Sequence, residues 1–163
     1  MISTLTISSA ASSLRLLNEE EMRAAVGVTG SGSDSALTAL EARLAASITM
    51  ECNVAIGSGY APTLLRETVV QTIYGARVDM LVLARRHDVT ITSVVEDGVT
   101  LAGTDYLVES EPGLLWRLRD DEPCRWCASK VVVTYAAGFA TIPSDLKQAA
   151  MVRINPPTAL RSS

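Results

Sequence analysis

Two periodicities divide the chain. Between residues 34 and 52, Leu37, Leu40, Leu44 and Ile48 recur at spacings of three and four with alanines between them, which predicts a helix able to pack closely against a neighbour. After the loop GSGYAP, residues 57–62, the pattern shortens. Val89, Ile91 and Val95 alternate with Thr90 and Thr92, the signature of a strand with one apolar and one polar face.

Punctuation residues set the ends of these elements. Asn18 followed by Glu21 has the spacing of a capping box, Glu19 and Glu20 suit a first helical turn, and Gly27 is placed to end that short helix. The loop TGSGSDS, residues 29–35, leads into the alanine-rich helix through a cap at Ser33 or Asp34, and that helix is expected to end near Cys52 or Val54. Strands are predicted over residues 65–73, 80–83, 89–95, 99–101, 106–108, 114–118 and 131–135. Asp97-Gly98 is a hairpin turn, 103–105 and Glu111-Pro112-Gly113 are further turns, and the charged stretch 119–125 is a loop. Residues 1–13, MISTLTISSAASS, carry no charged side chain and are expected to form a loosely held arm. At the other end, VVVTYAAGFATIPSDLKQAA hands the last strand over to a final helix with Ser144 as N-cap and Asp145 in its first turn. Its apolar face would be Leu146, Ala149, Ala150 and Ile154, and Asn155-Pro156-Pro157 should stop it at about Ile154.

The fold predicted from these elements is α+β: a small α-helical core with an inserted antiparallel β-sandwich or barrel-like domain. Residues 1–60 form the arm and helical region, 61–142 the inserted β domain, and 143–163 the helix and tail that return to the helical region.

Composition narrows the classes of function. Apolar residues make up 48% of the 163 residues but aromatics only 4%, so the core must be built from aliphatic side chains. A formal net charge of −4 argues against gripping nucleic acid through its phosphates, which requires a surplus of lysine and arginine. The start of the chain lacks the basic and continuously apolar segments of a signal peptide, and no run of about 20 apolar residues would span a bilayer. Three cysteines, an odd number, fit a reducing compartment, so a soluble protein made in the cytoplasm is expected.

Candidate chemistry is sparse. The single histidine, His87, has Arg85, Arg86 and Asp88 beside it, but no nucleophile elbow accompanies it, and it reads as a loop residue. Cys124-Arg-Trp-Cys127 is a CxxC of the kind found in redox and zinc sites. A zinc site would need four ligands, and only Cys52 and His87 remain, both distant in sequence; two reduced cysteines in a loop is the plainer reading. The GSGS of residues 30–33 has no preceding strand and no following GK[ST], so it reads as a linker rather than a phosphate loop. Residues 18–21 and Asp120-Asp121 lack the ligand spacing of a calcium loop. No catalytic, cofactor-binding or metal-binding residue is nominated, and no cofactor is expected.

Four stretches in this order resemble the head-tail connector (adaptor) proteins of long-tailed phages and gene transfer agents: LLNEEEMRAAVGV at 16–28, DSALTALEARLAASITMEC at 34–52, VTITSVVEDGVTLAGTDYLVES at 89–110 and VVVTYAAGFATIPSDLKQAA at 131–150. The likeness is to the longer connectors that carry a β region between helices. It implies a non-enzymatic virion protein at the capsid-tail junction, made in the bacterial host cytoplasm. Such proteins form a homo-oligomeric ring, usually of twelve copies, that binds the portal protein, extends the DNA channel and meets the next connector or a tail completion protein. DNA would pass without sequence-specific binding, and no membrane is involved. The resemblance implies portal-facing residues on the last helix and tail: Lys147, Met151, Arg153, Ile154, Leu160 and Arg161. Connectors of this group usually extend that helix further than Pro156-Pro157 permit here. Two other classes fit the sequence: a β-sandwich module binding a ligand or peptide, and a CxxC redox or zinc protein.

Overall fold

The computed structural model describes residues 1–155 and has the α+β architecture. Its elements in order are β1 (Ile2–Ser9), α1 (Glu19–Val26), α2 (Asp34–Glu51), β2 (Glu67–Ala76), β3 (Met80–Val82), β4 (Thr90–Glu96), β5 (Val99–Thr100), β6 (Tyr106–Glu109), β7 (Leu114–Arg119), β8 (Glu122–Cys124), β9 (Ala128–Ala137) and α3 (Ser144–Ile154). They separate into a β unit, Met1–Ala11 with Val54–Ala140, and a helical unit, Ser12–Asn53 with the chain from Thr141 onward.

In the β unit, five antiparallel strands run in the order β1-β2-β9-β4-β5, and a second sheet has the order β3-β7-β6 with β8 also on β7. The sheets are open, so the β-domain expectation resolves to two sheets without a closed barrel. Alternate residues of β2 and β9 point inward: Val69, Ile73, Val131, Val133 and Tyr135 are buried and share one cluster with Leu81, Leu115 and Trp126. Trp126 sits on the connection from β8 to β9, donating its indole N–H to the Leu115 carbonyl at 3.2 Å while its backbone N–H reaches the Val78 carbonyl at 2.9 Å. A buried tryptophan thus ties that connection to both β7 and the residues before β3.

The turns show how local chemistry sets register. Asp97 and Gly98 both have positive φ, 46° and 89°, as a two-residue hairpin requires. Asp97 also accepts the backbone N–H groups of Ser129 and Lys130, so the turn is pinned to the start of β9. Gly138 is indispensable for a different reason. Its φ is +106°, and a Cβ there would lie 2.6 Å from the Leu65 carbonyl oxygen.

Several expectations are corrected. Residues 1–13 are not a loose arm: β1 pairs antiparallel with β2 from Ile2↔Tyr74 to Ser9↔Thr68, and Ile7 is buried in the core. Its serines and threonines are compatible with a strand, but only the distant β2 supplies the ladder that selects it. The predicted loop 119–125 contains a hairpin, because Asp120 and Asp121 both take positive φ, 53° and 63°, and return the chain as β8.

Helix details also differ. Along α2 the buried residues are Leu37, Glu41, Ala45, Ile48 and Thr49, so the inward stripe is rotated from the predicted one and leaves Leu40 exposed. Pro143, not Ser144, is the N-cap of α3 and gives no side-chain cap, while the helix ends at Ile154 as predicted. By contrast α1 has the predicted start and stop: Asn18 accepts the Glu21 N–H, Glu21 accepts the Asn18 N–H, and Gly27 closes the helix in the left-handed region.

Candidate functional site

The helix that the resemblance assigns to a partner packs through buried Ala150 and makes two ion pairs with the other helices of the helical unit. Lys147 reaches back to Glu21 of α1 with Nζ 2.7 Å from Oε1, and Arg153 places Nη2 2.6 Å from Glu51 Oε1 at the end of α2. Burial works against the Glu21 charge, but hydrogen bonds from Lys147 and the Asn18 N–H outweigh it and hold the carboxyl below its ordinary value. Arg23 forks onto both oxygens of Asp34 at 2.9 and 2.6 Å, joining α1 to the first turn of α2 and lowering the Asp34 carboxyl.

Of the nominated residues, Lys147, Met151 and Ile154 lie on the half-buried side of α3 that also carries fully buried Ala150. Arg153 is exposed but paired, whereas Leu160 and Arg161 lie outside the described residues. Asp145, Gln148, Ala149 and Val152 form the exposed side of the helix. Of the face predicted by helical spacing, Leu146, Ala150 and Ile154 are turned inward and Ala149 is exposed, whereas the ion-pair partners of Lys147 and Arg153, 126 and 102 residues away, cannot be read from spacing.

A residue missed by sequence reasoning fixes the entry to α1. Glu41, buried on α2, accepts the backbone N–H groups of Leu16 and Leu17 on one oxygen, at 2.7 and 3.3 Å. Its carboxylate does for a loop what an N-cap does for a helix, satisfying donors that burial has removed from water. Its spacing of four from Leu37, three from Leu44 and seven from Ile48 puts Glu41 on the predicted apolar face, which is the signal that could have found it.

The β unit contains a buried polar network. Arg85 and Glu67 pair at 3.0 Å, and Tyr135 accepts the Arg85 N–H while donating to Gln71 Oε1 at 2.9 Å. The other end of the Gln71 amide donates to Ser3 on β1. Burial pushes the Glu67 carboxyl up against the pull of Arg85, lowers the Arg85 guanidinium, and raises the Tyr135 phenol to about 12. Each of these groups serves another part of the fold, tying β1, β2, the segment after β3 and β9 together.

His87 and the cysteines are placed apart from this network. The His87 imidazole lies 2.8 Å from Glu111 and packs on Phe139 with ring centroids 3.9 Å apart. Cys124 is half-buried, while Cys127 and Cys52 are exposed, and all three are free thiols. Among the described residues no group of three or more His, Cys, Asp and Glu is arranged to hold a metal ion.

One surface feature could not be read from the sequence. Cross-strand pairing aligns Met80, Trp116 and Leu107 in one row, with Val82, Leu114 and Glu109 in the row two residues along. Alternation turns these side chains away from buried Leu81 and Leu115, and Met80, Val82 and Leu107 are 38%, 40% and 53% exposed. The Trp116 indole donates to Glu109 Oε1 at 2.6 Å, which fixes a carboxylate at the margin of an apolar sheet face.

Searched against protein-family models the chain matches none, and no curated protein matches it in sequence. No helix among the described residues is long and apolar enough to cross a membrane.

Proposed function

We propose that the protein is a ring-forming head-tail connector, a structural component that binds a phage portal, lengthens the DNA channel and joins capsid to tail. One observation carries the reading: the chain on both sides of the segment Val54–Ala140 contributes to a single helical unit, α1 and α2 before it and α3 after it, with β1 preceding them as a further strand of the β unit. That is the organisation of the longer connectors to which four stretches of this sequence are similar. The ion pairs of α3 with Glu21 and Glu51 hold the helix in register with the other two. Its exposed side, Asp145, Gln148, Ala149 and Val152, remains for a partner. A net charge of −4 suits a wall past which phosphates slide without being held.

The test is mass measurement with negative-stain imaging of the full chain, alone and with a portal protein from the same source. Rings seated on the portal are expected. A chain that neither forms rings in either setting nor occurs in purified particles overturns the reading. Free monomer alone does not, since assembly on a partner follows mass action.

A further inference from the structure

We propose that the outer face of the sheet β3-β7-β6 is the surface on which a second copy of this chain docks, through the row Ile2–Tyr74–Lys130 of its larger sheet. This names the subunit contact of the proposed ring and in that sense rests on it. The row Met80–Trp116–Leu107 crosses three adjacent strands, so it is roughly 10 Å wide at the usual strand spacing. Methionine and tryptophan are enriched in the cores of protein interfaces, where the one adapts its shape and the other supplies area.

The choice of a second copy follows from complementarity elsewhere on the same unit. Ile2 pairs with Tyr74 and Tyr74 with Lys130, which makes another row across three adjacent strands, β1, β2 and β9. Ile2 and Tyr74 are 69% and 44% exposed, and Lys130 is exposed beside them. One row is apolar with Glu109 at its margin; the other is apolar with Lys130 at its end. Laid together, Ile2 and Tyr74 cover Met80 and Trp116, and the ammonium meets the carboxylate that the Trp116 indole already orients.

Because the two surfaces are different parts of one body, the contact is heterologous. Repeating it generates a closed ring or an open filament and never a symmetric pair. A template that aligns several copies strengthens such an array beyond the affinity of one contact.

The experiment uses two full-length variants that keep their fold by circular dichroism. Leu107→Lys blocks the first surface and Tyr74→Glu the second. In sedimentation velocity the unmodified chain is expected to gain mass as its concentration rises, and each variant to associate about tenfold more weakly, the scale of one interface anchor. Mixed together, the two variants should form a one-to-one pair that grows no further, since each retains the surface the other lacks. Glu109→Lys should weaken association, and adding Lys130→Glu should restore it.

A chain that stays monomeric to its solubility limit, or a mixture that forms no pair, overturns this contact. So does loss of association with Leu107→Lys but not Tyr74→Glu, which would mean that the first face meets its own copy. Portal-bound rings unaffected by all four substitutions would remove this contact and leave the connector reading standing. Pair formation without portal binding would do the reverse.

Discussion

The β unit and the helical unit are stabilised by different physics. In the β unit, continuous ladders place Val69, Ile73, Leu81, Leu115, Trp126, Val131, Val133 and Tyr135 in one buried cluster, and even its polar network is enclosed. The helical unit buries fewer large side chains, chiefly Leu16, Leu17, Met22, Leu37, Ile48 and Ile142, and its helices are connected by carboxylates: Glu21 to Lys147, Asp34 to Arg23, Glu51 to Arg153, Glu41 to two backbone donors. Apolar burial is insensitive to salt and to mild pH change, whereas exposed ion pairs contribute little and are screened. The difference predicts that acid and salt act on the helical unit before the β unit.

The contrast is broken most severely at Trp126. Trp126→Ala removes the side chain joining the β8–β9 connection to β7 and leaves a cavity, at a cost of about 3–5 kcal/mol. Urea unfolding followed by the far-ultraviolet signal of the strands should show that loss, with amide exchange in α2 unchanged. Tyr135 comes next. Its phenol titrates at about 12 in the fold against 10.0 ordinarily, so the folded state holds that proton more tightly. The stabilisation is complete below pH 10 and lost as pH rises towards 12, amounting to about 2–3 kcal/mol. Stability measured from pH 9 to 12 should fall steeply, and Tyr135→Phe should be less stable at neutral pH yet flatten that fall.

Elements with a local cause were legible in the sequence, and those selected by a distant partner were not. Asn18, Glu21 and Gly27 define α1 within a single stretch, and Asp97-Gly98 makes its turn by its own conformational preferences. β1 is the opposite case. Serine and threonine there are equally at home in a loop, and only pairing with β2 decides the outcome. On α2, Glu41 falls at helical spacing from Leu37 and Ile48, and what the sequence does not show is why a charge sits there: the Leu16 and Leu17 N–H groups that it accepts come from another segment. For the candidate sites, α3 was readable as a helix and its inward side largely so, since Leu146, Ala150 and Ile154 of the predicted face are turned inward and only Ala149 is exposed. The apolar outer face of β7 emerges only when Met80, Trp116 and Leu107 are aligned by register.

Within the helical unit, Glu41 is a buried polar contribution that can be removed without touching the β unit. Glu41→Ala strands two backbone donors in a buried position and should cost about 2 kcal/mol. Amide exchange of residues 16–26 should accelerate while that of β2 and β9 stays unchanged; equal acceleration in both would mean that the units do not respond independently.

The smallest effect is the most informative about a partner. Glu21 has a depressed carboxyl, so its contribution is present above the ordinary glutamate range and is lost as pH falls through the lowered value. Lys147→Met should remove that dependence at a cost of less than about 1 kcal/mol, as for other pairs near a surface. Exchange in α1 and α3, corrected for intrinsic rates, should therefore rise on acidification or added salt in the unmodified chain and change little in the variant. The β2 and β9 amides serve as the internal reference. If they follow the same acid profile, the contrast between the units fails. If they do not, protection of α3 by added portal, measured at low pH where the Glu21–Lys147 pair is weakened, reports directly whether partner contacts replace the order that charge supplies in the free chain.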